Sequence, residues 1–190
     1  MRKSSSGKFS GIKRPFKLEE IWRIRTRLEI ENDLMQLALL NLVIDSKLRA
    51  IDLLKQGVIY DRVQCIQQKT GTDVHYEITP RTQQSISRWI FAASLEASSF
   101  LFPSSRRSGQ PISYSFYRAI IRSWAVKLGL NADYYGTHSM RRTKATLIYA
   151  RTKNIRAVQI LLGHSKLDNT IRYLGVELEG ALRLSEKTDC

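Results

Sequence analysis

Apolar side chains between Leu18 and Leu54 recur at helical spacing, at Ile21, Ile24 and Leu28, then Leu34, Leu37, Leu40 and Val43, then Leu48, Ile51 and Leu54. Residues three and four apart share one face of a helix, so this run predicts two or three helices packed on one another. The period then changes. In GVIYDRVQCIQQKTGTDVHYEIT, β-branched and polar residues alternate on either side of a Thr-Gly-Thr turn between Lys69 and Val74, the pattern of a half-buried antiparallel sheet. Pro80 reopens a helical stretch over roughly Thr82 to Ala97, and the Pro/Ser/Gly loop LFPSSRRSGQPIS separates it from a helix near Ser113 to Leu128. Three more helical segments follow, His138 to Ala150, Asn154 to Leu162 and Leu167 to about Leu174, and VELEGALRLSEK can form one amphipathic helix more. A chain that is mostly helix with one small sheet is of the α+β class.

Length and charge narrow what such a fold is for. At 190 residues, 43% of them hydrophobic, the chain is most simply one domain with a sizeable core. Thirty-one Lys and Arg against 17 Asp and Glu leave a net charge of +14, a self-repulsion most readily tolerated beside a polyanion. Nucleic acid is the leading partner, and an anionic membrane surface the weaker rival. The apolar run MQLALLNLVI spans about ten residues, short of the roughly 18 that cross a bilayer, and reads as a buried core helix. The first residues are basic but have no apolar stretch of the kind that directs secretion. Cys65, in an expected strand, and Cys190, at the last position, form neither a disulfide framework nor a zinc spacing, which fits a reducing cytoplasm. Residues 1–16, rich in Ser, Gly, Lys and Arg, cannot bury enough apolar area to offset their ordering entropy and are expected to be a mobile basic tail.

Several basic and polar residues look placed rather than scattered. In THSMRRTKAT, a helix beginning near His138 puts His138 and Arg141 on one face close to its positive end, a site for an anion. In LRAID, Arg49 follows an apolar run, and Asp52, three positions on, is placed to hold its guanidinium. Lys69 occupies the tip of the expected hairpin. LLGHSKLDNTIRYLG sets His164 in a Gly-His-Ser turn and Tyr173 nine residues later. Each of these, alone, is commonplace: helix starts carry solvated His and Arg, ion pairs decorate helices, turn-tip lysines solvate loops, and a buried tyrosine is most often core.

Together, in this order, they resemble the catalytic set of the tyrosine recombinases, also called phage-type integrases. The likeness runs from about Leu18 to Tyr173, and its specific parts are GTHSMRRTKATLIY and LLGHSKLDNTIRY. It implies the family's catalytic fold over residues 17–174, with a three-stranded antiparallel sheet. It also implies an enzyme whose Tyr173 attacks a DNA phosphodiester, forming a 3′-phosphotyrosyl linkage and freeing a 5′-hydroxyl. Arg49 and Arg141 would clamp the non-bridging oxygens, Lys69 would protonate the leaving oxygen, and His138 and His164 would serve as base and phosphate contact, with Asp52 in support. No cofactor or metal is called for. Asn169 and Thr170 would fix the segment that carries Tyr173.

The resemblance further implies double-stranded DNA as partner, homodimers and a tetrameric synapse on it, and a cytoplasmic, nucleoid-associated setting with no membrane. Residues 175–190 either dock on a neighbouring subunit, as in similar recombinases, or fold back on their own core. Two departures stand out. IDSKLR replaces the Thr-Gly that often precedes the first arginine's Leu, and only about 17 residues precede the first helix, where most members carry a second DNA-gripping domain. An accessory DNA-binding protein or cooperative assembly would supply the missing grip. A relative that kept the fold only to bind or regulate DNA, and a topoisomerase-like enzyme that nicks and reseals one duplex, are the alternatives. Lys-Thr-Gly at Lys69 to Gly71 also occurs in penicillin-binding enzymes, but the Ser-x-x-Lys those need lies here only in the polar tail.

Overall fold

The computed structural model describes residues 13–54 and 62–174. Its helices are α1 (Leu18–Ile30), α2 (Leu34–Ser46), α3 (Ala50–Leu54), α4 (Pro80–Ala92), α5 (Tyr114–Lys127), α6 (Thr137–Thr152), α7 (Ile155–Leu162) and α8 (Leu167–Leu174), with a short 3₁₀ turn at Ala132–Tyr134. Strands β1 (Arg62–Ile66) and β2 (Asp73–Glu77) pair antiparallel in the register Arg62↔Glu77 to Ile66↔Asp73. The described sheet thus has two strands rather than the expected three. The start of the stretch read as sheet, and the C-terminal segment 175–190, lie outside the described residues.

Helix α2 explains the centre of the fold. Every residue from Leu37 to Ser46 is buried, so the helix is apolar all round and must be enclosed by others. Asp33 caps it, its Oδ1 accepting the Gln36 N–H at 3.0 Å. Helices α1, α4 and α6 and strand β2 pack around it. Leu39, Leu40 and Leu42 are fully buried there, and truncating any one to Ala costs about 2–5 kcal/mol. The expectation of a core helix at MQLALLNLVI holds.

Boundaries follow local chemistry. Ser113 and Asn154, read as first helical residues, are caps that accept the N–H of Phe116 and Ala157. Helix α4 stops at Ala92 rather than near Ala97, because Ser94 turns left-handed (φ 49°) and Leu95 N–H bonds back to the Ile90 carbonyl at 3.0 Å.

Residues 13–16, expected within the mobile basic tail, are held by the fold instead. From Lys13 to Phe16 the chain is strapped across the start of α6: Arg14 N–H donates to Tyr134 O (2.9 Å), Phe16 N–H to Thr143 Oγ1 (3.0 Å), and the buried Phe16 ring stacks on Tyr135 at 4.4 Å. Phe16, the aromatic residue that ends the polar stretch, supplies the apolar area for this anchoring. Residues 1–12 lie outside the described set.

A second, smaller apolar cluster is set apart from this core. Ala145, Val158, Leu162 and Leu174, with Ile148, Tyr149, Ile155 and Tyr173 against them, join α6, α7 and α8. No helix among the described residues is long and apolar enough to cross a membrane.

Candidate active site

Helix α2 ends in a left-handed residue, Lys47 (φ 53°), which reverses the chain and delivers Arg49 to the start of the five-residue helix α3. The half-buried Arg49 guanidinium donates from Nη1 to the side-chain carbonyl of Gln67, at the end of β1. Asp52, buried one turn on, accepts the Gln68 N–H at 3.0 Å and so ties α3 to the hairpin that carries Lys69. Lys69 itself is exposed in the turn, which Gly71 closes at φ 63°.

Helix α6 begins at Thr137, so His138 lies in its first turn and Arg141 one turn later, as the spacing predicts. Arg141 is 3% exposed and donates from Nη2 to the carbonyl of Leu162 at 2.5 Å, across to the last residue of α7. Next comes Gly163, left-handed at φ 61°, and then His164. Gln159 holds this reversal: its Nε2 donates to His164 O at 2.9 Å, and its own carbonyl accepts the His164 N–H at 3.1 Å. The His164 Nδ1 lies 3.1 Å from Thr170 Oγ1 on α8, and its ring meets the Tyr173 ring edge-on at 5.3 Å.

The electrostatics show that these residues share one neighbourhood. Burial lowers the His138 imidazole, and the charges of Arg141, Arg49, Lys69 and Arg142 lower it further. Burial, then Arg141 and Arg49, bring His164 down to about 4. Burial raises the Tyr173 phenol to about 12, outweighing the pull of Arg141, Arg142 and Arg49 toward the phenolate. Arg49, Lys69, His138, Arg141, His164 and Tyr173, spread over 125 positions from first to last, therefore lie within one electrostatic neighbourhood. Within it the Tyr173 hydroxyl and Arg141 Nη1 are both sealed from water, and the Arg141 guanidinium lies close enough to the phenol to pull it toward the phenolate. A phenol held against one guanidinium, with two more nearby, is an arrangement suited to an anionic oxygen.

Two more residues belong to the site that sequence reasoning passes over. Arg142, 6% exposed, donates from Nη1 to the carbonyl of Lys13 at 2.5 Å and sets its guanidinium 5.6 Å from the centre of the Tyr173 ring. Gln67 stands between Arg49 and Leu162. Arg142 had a signal, its adjacency to Arg141. Gln67 had none beyond lying two positions before Lys69. Of the residues expected to fix the segment that carries Tyr173, Thr170 meets His164, while Asn169 contributes its backbone N–H to the turn, bonded to Lys166 O at 3.2 Å.

The family model described as the phage integrase family matches residues 16–179. Over 138 residues the chain is 31% identical to the probable integrase/recombinase YoeC of Bacillus subtilis (strain 168), covering 70% of this chain and 74% of that protein. Its fold matches the crystal structure of XerA recombinase with a TM-score of 0.75 at 17% identity, over 93% of this chain and 65% of that one. The crystal structure of the XerH site-specific recombinase bound to a palindromic difH substrate, a post-cleavage complex, matches with a TM-score of 0.73 at 14% identity, over 92% of this chain and 53% of that one. The chain thus spans between half and two thirds of the length of these two structures.

Proposed function

This chain belongs to the phage integrase family, and from that premise we propose that it is a site-specific tyrosine recombinase, breaking and rejoining double-stranded DNA through a covalent 3′-phosphotyrosyl intermediate. The observation that carries the reading is the buried Tyr173 hydroxyl held beside the Arg141 guanidinium, set among Arg49, His138 and His164. A non-bridging phosphate oxygen on Arg141 would bring the phosphorus to the phenol.

The step follows from the groups present. Tyr173 Oη attacks the scissile phosphorus, the bond to the 5′-oxygen of the next nucleotide breaks, and the phosphodiester is exchanged for a phosphotyrosyl bond of similar energy. Arg49 and Arg141 spread the charge of the equatorial oxygens, which in phosphoryl transfer is most of the catalytic task. His138, biased toward the neutral form by burial and then by its cationic neighbours, takes the phenol proton, and Lys69, on its exposed turn, gives a proton to the departing 5′-oxygen. His164 hydrogen-bonds the phosphate. In the reverse sense a 5′-hydroxyl from a second duplex attacks the linkage, so strands are exchanged without a nucleotide cofactor. The net charge of +14 supports DNA as the partner. Recombination between two duplexes requires two copies on each, hence dimers and a tetrameric synapse on nucleoid DNA, with an accessory DNA-binding protein adding grip.

The test is capture of nicked suicide duplexes from a library randomised across the nick. Wild type is expected to yield adducts stable to detergent and sensitive to protease, and Tyr173→Phe none, with gel-shift affinity within a few-fold. Adducts formed equally by Tyr173→Phe would relocate the nucleophile, and their absence with wild type would overturn the reading. Transfer of the captured strand to a second duplex separates a recombinase from an enzyme that only nicks and reseals.

A further inference from the structure

Gln67 is 1% exposed, uncharged, and bonded at both ends of its amide. Its carbonyl oxygen accepts from Arg49 Nη1, and its Nε2 donates to the carbonyl of Leu162 at 3.2 Å. That same carbonyl accepts from Arg141 Nη2 at 2.5 Å. A single chain of hydrogen bonds therefore runs Arg49, Gln67, Leu162 O, Arg141, and links the two guanidiniums that face the phosphate site. The backbone of Gln67 extends the connection to a third group. Its N–H donates to Thr72 O at 2.9 Å, and its carbonyl accepts the N–H of Thr70 (3.2 Å) and Gly71 (2.8 Å), which closes the turn that presents Lys69.

We infer that Gln67 is a positioning residue that holds Arg49 and Arg141 at a fixed separation, so that both meet one phosphate together. This rests on the phosphoryl-transfer reading above. Two like-charged guanidiniums in one half-buried space repel, and an acidic residue bonded to either would cancel part of the charge it presents to a phosphate. A neutral amide solves this: it offers an acceptor to one cation and, through a shared carbonyl, an anchor to the other, without cancelling either charge. The chain makes room for it. A Cβ on Gly163 would lie 2.9 Å from Gln67 Nε2 and 2.6 Å from Val74 Cγ1, so the amide reaches the end of α7 only because that position is glycine. The Gly of Leu-Gly-His is thereby explained by the approach of Gln67 as well as by the reversal that presents His164.

The inference is tested with Gln67→Leu, of similar size and without hydrogen-bonding groups, its fold checked by thermal melting. Should it not fold, Gln67→Asn, one methylene short, takes its place. Covalent capture of a duplex recovered from the library is expected to slow about 10²-fold, the scale of a misplaced reacting group, with binding within a few-fold. On the same duplex with a neutral methylphosphonate at the scissile position there is no full charge for the guanidiniums to meet, and the variant is expected within about five-fold of wild type, a convergence that general loosening of the fold would not produce. An unchanged rate on the phosphodiester, or equal losses on both substrates, overturns the inference. The clamp is also read without DNA, from exchange of the Arg49 Nη1 protons by nitrogen-15 NMR, expected at least ten-fold faster in the variant. Equal exchange overturns the inference, whereas failure of wild type to capture DNA, with the slow exchange intact, overturns the proposed function alone.

Discussion

The imidazole of His164 meets the ring of Tyr173 edge-on, with centroids 5.3 Å apart and planes at 84°, while the guanidinium of Arg142 sits 5.6 Å from the same ring. A phenol with one rotatable ring is thereby located by packing before substrate arrives, and its hydroxyl is left beside Arg141. A phenol is protonated at neutral pH even at its ordinary value of 10, and burial lifts this one further, to about 12. On the proposed function the attacking group is thus positioned but not ionised, and a base must act as it attacks.

His164 should titrate far below an ordinary histidine. Its folded value of about 4 lies under the usual 6.5, so between the two the unfolded chain binds a proton that the folded chain refuses. Its contribution to stability is full above about 6.5 and is lost as pH falls through about 4. A histidine NMR titration should place the midpoint near 4, move it upward when a DNA phosphate occupies the site, and show in His164→Asn a shallower loss of stability across that window. A midpoint near 6.5 in the free protein would contradict the burial and the two arginine neighbours.

Gly163→Ala should be much worse than Gly129→Ala. Both glycines are left-handed, at φ 61° and 75°, so each replacement loses about 1–2 kcal/mol from conformation alone. Around Gly129 a Cβ meets nothing within 4 Å, while at Gly163 it meets Val74 at 2.6 Å and Gln67 at 2.9 Å. Thermal melting should show a fall of roughly 2–8 °C for Gly129→Ala, at about 2–4 °C per kcal/mol for a domain of this size, and a larger one for Gly163→Ala. Equal falls would mean that the hairpin yields without strain.

Lys47→Gly should stabilise the protein. Lys47 takes the place of the glycine often found in the resembled family; it is left-handed and only 5% exposed, its ammonium donating to Asp45 O. Burial, then Lys144, lower its pKa to about 8 against the opposing pull of Asp45 and Glu77. Relief of the backbone is worth about 1–2 kcal/mol, and the buried charge is removed as well. Because the unfolded chain holds this proton up to about 10.5, the wild type gains stability as pH rises from about 8, so the variant's advantage, measured by urea melts, should be greatest near pH 7 and shrink above 8. A loss of stability at pH 7 would show that the lysine stem's packing dominates.

What the sequence discloses and what it hides divide along a physical line. Periodicity reports burial, and it located α2, α5, α6 and α8 closely. His138 and Arg141 were legible because three positions on a helix fix two side chains on one face. The Asp45 network was not: IDSKLR shows a polar turn, but not that Asp45 accepts Thr79 Oγ1 and Thr82 Oγ1, each at 2.7 Å, and Lys144 Nζ at 2.6 Å, binding α2, α4 and α6 together. Asp52, expected to hold the Arg49 guanidinium, accepts the hairpin N–H of Gln68, while Arg49 donates to Gln67. Gln67 and Arg142 escaped because their partners are main-chain carbonyls, at Leu162 and Lys13, and a carbonyl has no letter in the sequence.

The small apolar cluster of α6, α7 and α8 has a consequence for control. Tyr173 rides on packing that involves a handful of side chains rather than the enclosed centre around α2. Breathing of that corner therefore needs less free energy than melting the domain, and because Leu162 belongs to it, the phenol would move together with the anchor of Arg141. On the proposed function, a neighbouring molecule that pressed on α8 would arm or disarm tyrosine and phosphate cradle in one stroke, as a latch is lifted.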